Sequence, residues 1–293
     1  MTYFFHKLDM SEDLIYNTYG LYLSKEGEKG MSKTAVVTGG SSGIGQATAQ
    51  ALRQAGCTVY EFSRRDIRQD GIRHISCDVT KPKDVEAAIE EVIAKEGKID
   101  ILINNAGFGI SGATEYTRSE DAHKLMEVNV FGMANVTRAV LPHMRRAGSG
   151  RIVNTSSVAG VLPIPFQTWY SVSKAAVNAY TQAVDNEVRP YGVRVCAVMP
   201  GDMRTGFTAA REKNSLGDDE YGGRIARSVS RMEKDEQNGM NPMIAGKYIA
   251  RTALRRSVKP LRAIGFSYKL FCVIGKLLPV RLVNYLLGRM YAN

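Results

Sequence analysis

A strand, a glycine-rich turn and a helix follow one another without interruption between residues 34 and 55, and this arrangement limits the possible folds more than any other stretch. Thr34-Ala35-Val36-Val37 is a short apolar, β-prone run that leads into Thr38-Gly39-Gly40-Ser41-Ser42-Gly43-Ile44-Gly45 and then a helical stretch from Gln46 to Ala55. Glycines at 39, 43 and 45 carry no Cβ to obstruct a tight bend, the approach of a pyrophosphate or the packing of helix on strand. Backbone N–H groups at the helix start would then face the phosphates. A P-loop is excluded, because no Lys followed by Ser or Thr closes the turn. Further along, strands alternate with helical patterns, which implies a parallel sheet, and 293 residues at 44% apolar content suffice for one large core. The expected fold is α/β: a single Rossmann domain, doubly wound, with helices on both faces of a parallel sheet.

A second strand, Thr58 to Phe62, ends in Ser63-Arg64-Arg65, about twenty residues past the turn, where dinucleotide folds read the adenosine ribose. A carboxylate there accepts the 2′-hydroxyl of NAD, whereas arginine suits the extra phosphate of NADP. Ser63 stands where the carboxylate would be, and Arg64 follows it, so NADP(H) is preferred. Glu61 and Asp66 flank the site and keep NAD(H) open; two solvated arginines in a loop are the plainer reading.

Tyr170-Ser171-Val172-Ser173-Lys174 sets a phenol and an ammonium one helical turn apart. Positions i and i+4 share a helix face, so Lys174 is expected beneath the phenolate that forms when Tyr170 gives up its proton, drawing down a pKa that is ordinarily about 10. That pair suits protonation of a carbonyl oxygen. By itself it also fits a helix with a tyrosine edge against the core.

Together these residues resemble the short-chain dehydrogenase/reductase family in its single-domain form, over about Lys33 to Thr205. Asp78-Val79 resembles the segment near the adenine. Asn104-Asn105-Ala106-Gly107, after the strand Ile101 to Ile103, resembles the family's turn under the cofactor. Pro200-Gly201 with Met203 and Thr205 resembles the nicotinamide-contacting segment. The resemblance implies a catalytic tetrad of Asn129, Ser157, Tyr170 and Lys174. In it, Ser157 would hydrogen-bond the substrate carbonyl, Tyr170 would protonate the forming alkoxide, Lys174 would also hold the nicotinamide ribose, and Asn129 would organise a water relay. Ser157 stands thirteen residues before Tyr170, as in the family; its neighbour Ser156, on the alternate strand face, would point elsewhere. The implied cofactor contacts are Thr38, Gly39, Ser41, Ser42, Gly43, Ile44, Gly45, Ser63, Arg64, Arg65, Asp78, Val79, Asn105, Ala106, Gly107, Tyr170, Lys174, Pro200, Gly201, Met203 and Thr205. A lysine four rather than seven residues after the tyrosine separates carbonyl/alcohol chemistry from the enoyl reductases of this superfamily.

Cys57, Cys77, Cys196 and Cys272 form no Cys-x-x-Cys pair, so disulfide and zinc frameworks are not expected. No metal is needed for this chemistry. Residues 1–30 carry no secretory signal. Purine-rich codons for Glu26-Gly27-Glu28-Lys29-Gly30 would resemble a bacterial ribosome-binding site, so translation is expected to start at Met31; a flexible or interaction-bearing arm is the other reading.

The excess charge sits at the other end. From Arg251 to Asn293 there are nine basic residues and no acidic one, leaving thirty basic against 29 acidic elsewhere in a chain of net charge +10. Cations interrupt the apolar residues of this tail too often for a transmembrane span. Two readings stand: a basic amphipathic segment on an anionic membrane surface, or C-terminal helices docked on the domain. The division expected is therefore 31–250 for the Rossmann domain, including a substrate loop over 201–245 that is helical and lid-like, and 251–293 for the tail.

Lys259-Pro260-x-Arg262, Gly265-Phe266-x-Tyr268-Lys269-Leu270, Leu277-Leu278-Pro279-x-Arg281-Leu282 and Asn105-Ala106-Gly107-Phe108-Gly109 resemble 17β-hydroxysteroid and retinol dehydrogenase-like members. That likeness implies a bulky hydrophobic alcohol or ketone, with Phe108, Ser157, Pro163, Phe166, Met203 and Phe207 as candidate substrate contacts, unless the apolar ones are core. The resulting expectation is an NADP(H)-dependent oxidoreductase acting on a steroid, bile acid or lipid-like alcohol/ketone pair. It would be cytoplasmic, homodimeric or homotetrameric, and able to touch a membrane through its tail. A 3-oxoacyl carrier-protein reductase shares every core motif. A cofactor-sensing binding protein is the reading from another class, although nucleic acid is not an expected partner.

Overall fold

The computed structural model describes residues 32–292; the expected extension at 1–30 and the start at Met31 lie outside the described residues. The chain runs β1 (Thr34–Thr38), α1 (Gly43–Gln54), β2 (Thr58–Ser63), β3 (Ile72–Ser76), α2 (Pro82–Glu96) and β4 (Ile101–Asn104), followed by a short β5 (Ile110–Ser111). Next come α3 (Ser119–Met126), a π-helical segment (Glu127–Gly132), α4 (Met133–Arg146), β6 (Gly150–Thr155), α5 (Thr168–Val188) and β7 (Val193–Met199). Past β7 lie α6 (Phe207–Ala210), β8 (Glu212–Lys213), α7 (Arg224–Gln237), α8 (Pro242–Leu254), β9 (Leu261–Ala263), α9 (Phe266–Leu277) and α10 (Val280–Tyr291).

The main sheet has the order β3-β2-β1-β4-β6-β7-β9 and every pairing in it is parallel. β1, β4 and β7 are almost wholly buried, as strands covered on both faces must be. One core layer packs Val85, Ile89, Val136, Met144 and Val184, from α2, α4 and α5, against the sheet. The other packs Ala49, Leu52, Ala245 and Ile249, from α1 and α8. The crossing of α1 and α8 is close because Gly246 lies on Ala47, where a Cβ would meet the Ala47 carbonyl oxygen at 2.6 Å. Strand order reverses between β1 and β4, and such a switch point opens a ligand crevice at the carboxyl ends of the strands.

A buried polar ladder ties the sheet to its helices. Asn104 Nδ2 donates to Thr137 Oγ1 (3.0 Å) and to Asn154 Oδ1 (2.9 Å), and Asn154 Nδ2 donates to Thr181 Oγ1 (2.9 Å). Buried amides cost free energy unless paired, so this ladder fixes α4 and α5 in register with β4 and β6.

The division expected at residue 250 does not match the chain's geometry. It falls inside α8, and residues 261–263 form the edge strand of the main sheet. The helical tail proper begins at Phe266. Basic residues such as Arg255 and Arg256 obscured the continuity, although their main-chain carbonyls accept from the buried Arg151 guanidinium at 2.7 and 3.1 Å. All four cysteines are buried and unpaired.

Candidate active site

The turn after β1 is held down from the β4 side. Thr38 Oγ1 accepts the N–H groups of Asn105 (3.0 Å) and Ala106 (3.1 Å), and Asn105 Nδ2 donates to the Gly39 carbonyl at 3.3 Å. Gly39 and Gly43 have φ of +64° and +56°, a left-handed backbone that glycine adopts without steric cost. Ser42 caps α1 with no side-chain hydrogen bond, and the first turn contains no acidic residue. The N–H groups at that helix start are therefore open to an anion. This cradle of small residues in front of an uncapped helix fits a dinucleotide pyrophosphate, and Thr205 closes it from the far side, its methyl reaching within 3.7 Å of where a Gly43 Cβ would stand.

At the end of β2, Ser63 Oγ donates to the Arg65 carbonyl (2.9 Å), and Arg64 and Arg65 are exposed. Glu61, 1% exposed, is turned inward onto His74 and accepts from Ser63 Oγ at 3.3 Å. Arg64 and Arg65 thus face solvent at this edge, with the exposed carboxylate of Asp66 next to them. Arg64 also draws on Asp78, whose carboxyl is held below its usual range chiefly by hydrogen bonds from Thr80, against the opposing effect of burial. Val79 is buried, with its carbonyl accepting from Asn135 at 3.1 Å.

α5 carries Tyr170 and Lys174, and the loop after β6 brings Ser157 to them. A hydrogen bond from the Ser157 hydroxyl lowers the phenol pKa, but burial raises it more, up to about 12. Burial thus outweighs the lowering expected of the Tyr170/Lys174 pair. The Lys174 ammonium instead donates to the Thr155 carbonyl at 2.9 Å, lies 5.6 Å from the Tyr170 ring centroid, and is itself lowered to about 8 by burial. Sharing a helix face brings the two side chains together, but the long lysine stem carries its charge past the ring to the end of β6. Ser156 Oγ donates to the Lys174 carbonyl at 3.1 Å and so faces the α5 backbone.

Asn129 sits in the π-helical segment, a widened turn common at functional sites. Its Oδ1 accepts the Phe108 N–H (3.0 Å), and its Nδ2 donates to the Phe108 carbonyl (3.0 Å) and to Ser173 Oγ (3.1 Å). One amide proton thus holds the loop after β4 and the other ties the segment to α5. A Cβ on Gly107 would come within 2.9 Å of Asn129 Oδ1 and 3.8 Å of Lys174 Nζ.

The candidate substrate contacts divide. Phe207 lies 5.6 Å from Tyr170 between ring centroids and packs over Gly109; Phe108 carries Lys124 Nζ over its ring at 5.5 Å. Phe166 packs edge-on to Tyr221 at 5.7 Å. Pro163 is exposed, and Met203 is buried in the core layer of α1 and α8, where its backbone pairs with Met240. Met203 thus packs with the core layer, whereas Pro163 lies at the surface.

The segment expected to be helical and lid-like is helical and anchored. Buried Arg211 pairs with Glu236 on α7, Thr208 Oγ1 donates to the same carboxylate at 2.5 Å, and the Arg211 guanidinium lies 5.6 Å from the Phe207 ring centroid. With its amide oxygen turned toward Arg211, Gln167 accepts from Nε at 3.2 Å and Nη2 at 3.1 Å. Sequence reasoning also missed Tyr268 of α9. Its hydroxyl donates to Asp202 Oδ2 (2.7 Å) and accepts the Asp202 N–H (3.0 Å), while its ring covers Gly201. Burial pushes the Asp202 carboxyl up to about 6. Tyr268 lies within the quoted tail pattern, but only the packing of α9 on β9 shows its reach.

Comparison with known proteins agrees with this geometry. The family model for short chain dehydrogenase matches residues 33–216. A 3-ketodihydrosphingosine reductase from Bacteroides thetaiotaomicron is 40% identical over 261 residues, covering 88% of this chain and 97% of that protein. A short-chain dehydrogenase structure from Streptomyces avermitilis superposes with a TM-score of 0.77 at 33% identity, covering 86% of this chain and 94% of that one. A structure of ElxO with NADP bound gives a TM-score of 0.69 at 25% identity, covering 82% and 100%.

Proposed function

We propose that this chain, which belongs to the short-chain dehydrogenase family, reduces a ketone on a long-chain hydrophobic substrate with NADPH, in the manner that the name of its Bacteroides relative describes. It is an oxidoreductase; the substrate and the preferred nucleotide are what is proposed. The observation that carries the reading is the grouping of Ser157, Tyr170 and Lys174 beside the uncapped start of α1. The likeness to the Bacteroides protein runs well past residue 216 and so takes in tail residues, which supports the lipid-like substrate among the steroid, bile acid and lipid-like ones expected from the tail motifs.

The residues that would hold the cofactor are Thr38 to Gly45 at the pyrophosphate, Arg64 and Arg65 at the adenosine phosphate, Asn105 to Gly107 beneath it, and Pro200, Gly201 and Thr205 near the nicotinamide. When bound, that group supplies the hydride. The Ser157 hydroxyl orients the substrate oxygen, and Tyr170, protonated at neutral pH with a phenol near 12, delivers a proton to it. Lys174, still charged below pH 8, stabilises the phenolate left behind.

A pH dependence follows. As pH rises through about 8, Lys174 loses its charge and the phenolate loses its counterion, so kcat for reduction is expected to fall along a single-proton limb. A rate that stays level well above pH 8 would exclude Lys174 from this role. To test the function itself, NADPH and NADH oxidation are followed with 3-ketodihydrosphingosine, a ketosteroid and an acetoacetyl thioester. Turnover of the sphingoid ketone with NADPH is expected. Turnover of the thioester alone would replace the reading with carrier-protein substrate reduction.

Assembly as a homodimer or homotetramer belongs to the same reading. The outer faces of α4 and α5 border a cavity of about 650 Å³ lined by Leu141, Pro142, Tyr180 and Val184, a surface that supports helix pairing between copies. A cytoplasmic position with peripheral membrane contact belongs to the same reading; no described helix is long and apolar enough to cross a membrane.

A further inference from the structure

The outer faces of α9 and α10 carry a pattern that reduction of a ketone does not require. On α10, Val283, Leu287 and Tyr291 are partly buried and repeat at i, i+4 and i+8, so they form the side turned toward the domain. The flanking side, about 100° round the helix, shows Leu282, Leu286 and Met290, which are 42%, 44% and 47% exposed, with Arg281, Tyr285 and Arg289 at the same spacing on the side away from the domain. On α9, Phe266, Val273 and Leu277 share a face, Leu277 being 79% exposed, with Lys269 and Lys276 along its edge. Val280, 74% exposed, continues the apolar surface across the turn between the helices.

Exposed apolar stripes edged by cations mark an interaction site, and their charges select the occupant. A second copy would set Lys269, Lys276, Arg281 and Arg289 against the same four cations. From residue 251 onward no acidic side chain is present to offset them. Neither helix is long and apolar enough to span a bilayer. An anionic bilayer surface matches both halves of the pattern: lipid phosphates accept the cations, the acyl boundary accepts the leucines, and Tyr285 suits the level of the headgroups.

We propose that the outward faces of α9 and α10 dock this protein on an anionic lipid bilayer. Docking of this kind needs only the surface, whatever ketone the site reduces. Its position is consequential: Tyr268 on α9 holds Asp202 beside Gly201, and Arg224 at the start of α7 donates to the Ala292 carbonyl just beyond α10. The docked surface thus lies directly behind the nicotinamide segment and the cap of the cleft.

The test is sedimentation of the whole protein with phosphatidylcholine vesicles that contain or lack phosphatidylglycerol, at low and high salt. Binding to the anionic vesicles alone, weakened by salt, is expected. The pair Arg281→Glu/Arg289→Glu should lower partitioning about thirtyfold or more, at roughly 1 kcal/mol for each cation near an anionic surface. The pair Leu282→Ser/Leu286→Ser should lower it about tenfold from lost apolar contact. All four side chains point outward, so melting temperature and NADPH binding should stay unchanged and certify the fold. Three outcomes would overturn the proposal: no binding to anionic vesicles at low salt, binding that the outward-face variants leave intact, or variants that change only the oligomeric state, which would assign the surface to a second copy.

Discussion

Tyr170→Phe is expected to lower the single-turnover rate of ketone reduction by about 10³-fold, within the range that a positioned general acid contributes, while leaving NADPH affinity unchanged. The phenyl ring keeps its place 5.6 Å from Phe207, so the packing of the cleft survives and only the proton is removed. The phosphate cradle lies on a different element, α1, and its contacts to Asn105 and Ala106 do not involve α5. Stopped-flow loss of NADPH absorbance, set beside a fluorescence titration of NADPH, separates the two quantities. A rate reduced by less than about tenfold would mean that water or another side chain supplies the proton, and the assignment of Tyr170 would fall.

Gly45→Ala should be nearly as damaging, by a different route. A Cβ at this position would overlap the Gly39 carbonyl oxygen and the Asn105 amide nitrogen, and would stand 2.9 Å from the Gly39 carbonyl carbon. Two of these three atoms are backbone and cannot swing aside. Alanine in a helix gains at most about 1 kcal/mol over glycine, whereas overpacking a tight site costs typically ~1–3 kcal/mol, so the clash prevails. The first turn of α1 must move off β1, which spreads the N–H groups that would meet the pyrophosphate. The expected result is a melting temperature lower by about 5 °C and NADPH affinity reduced by at least tenfold, from the loss of roughly one charge-assisted hydrogen bond. Thermal unfolding and titration together check it; full nucleotide affinity in a folded Gly45→Ala protein would show that the turn is not the cradle.

The doubly wound sheet was legible in the sequence because strands such as β1 and β4 are short, apolar and bounded by turn residues, and because glycine spacing at 39, 43 and 45 has few other physical uses. Side chains on regular elements were legible too: Tyr170 and Lys174 share a face of α5, and Ser156 and Ser157 point in different directions. What escaped was everything that depends on distant elements meeting. Lys174 reaching the Thr155 carbonyl depends on how β6 lies under α5. The Asn129 clasp on Phe108 depends on a π turn that has no sequence signature of its own. Arg211 reads as a solvated charge in a polar loop, yet it is buried because Glu236, twenty-five residues away, folds back over it. The boundary at 250 was misread for a related reason: cations flanking β9 hide a strand of three residues that only pairing with β7 defines.

Phe166 holds a φ of +58°, a backbone state that costs a non-glycine residue on the order of 1–3 kcal/mol. Its carbonyl accepts the Gly112 N–H at 2.9 Å, and its ring rests on Tyr221 in the segment leading to α7. The strain stored at this one residue offsets part of what those two contacts contribute, so the seam between the loop after β6 and the cap is weaker than its close packing suggests.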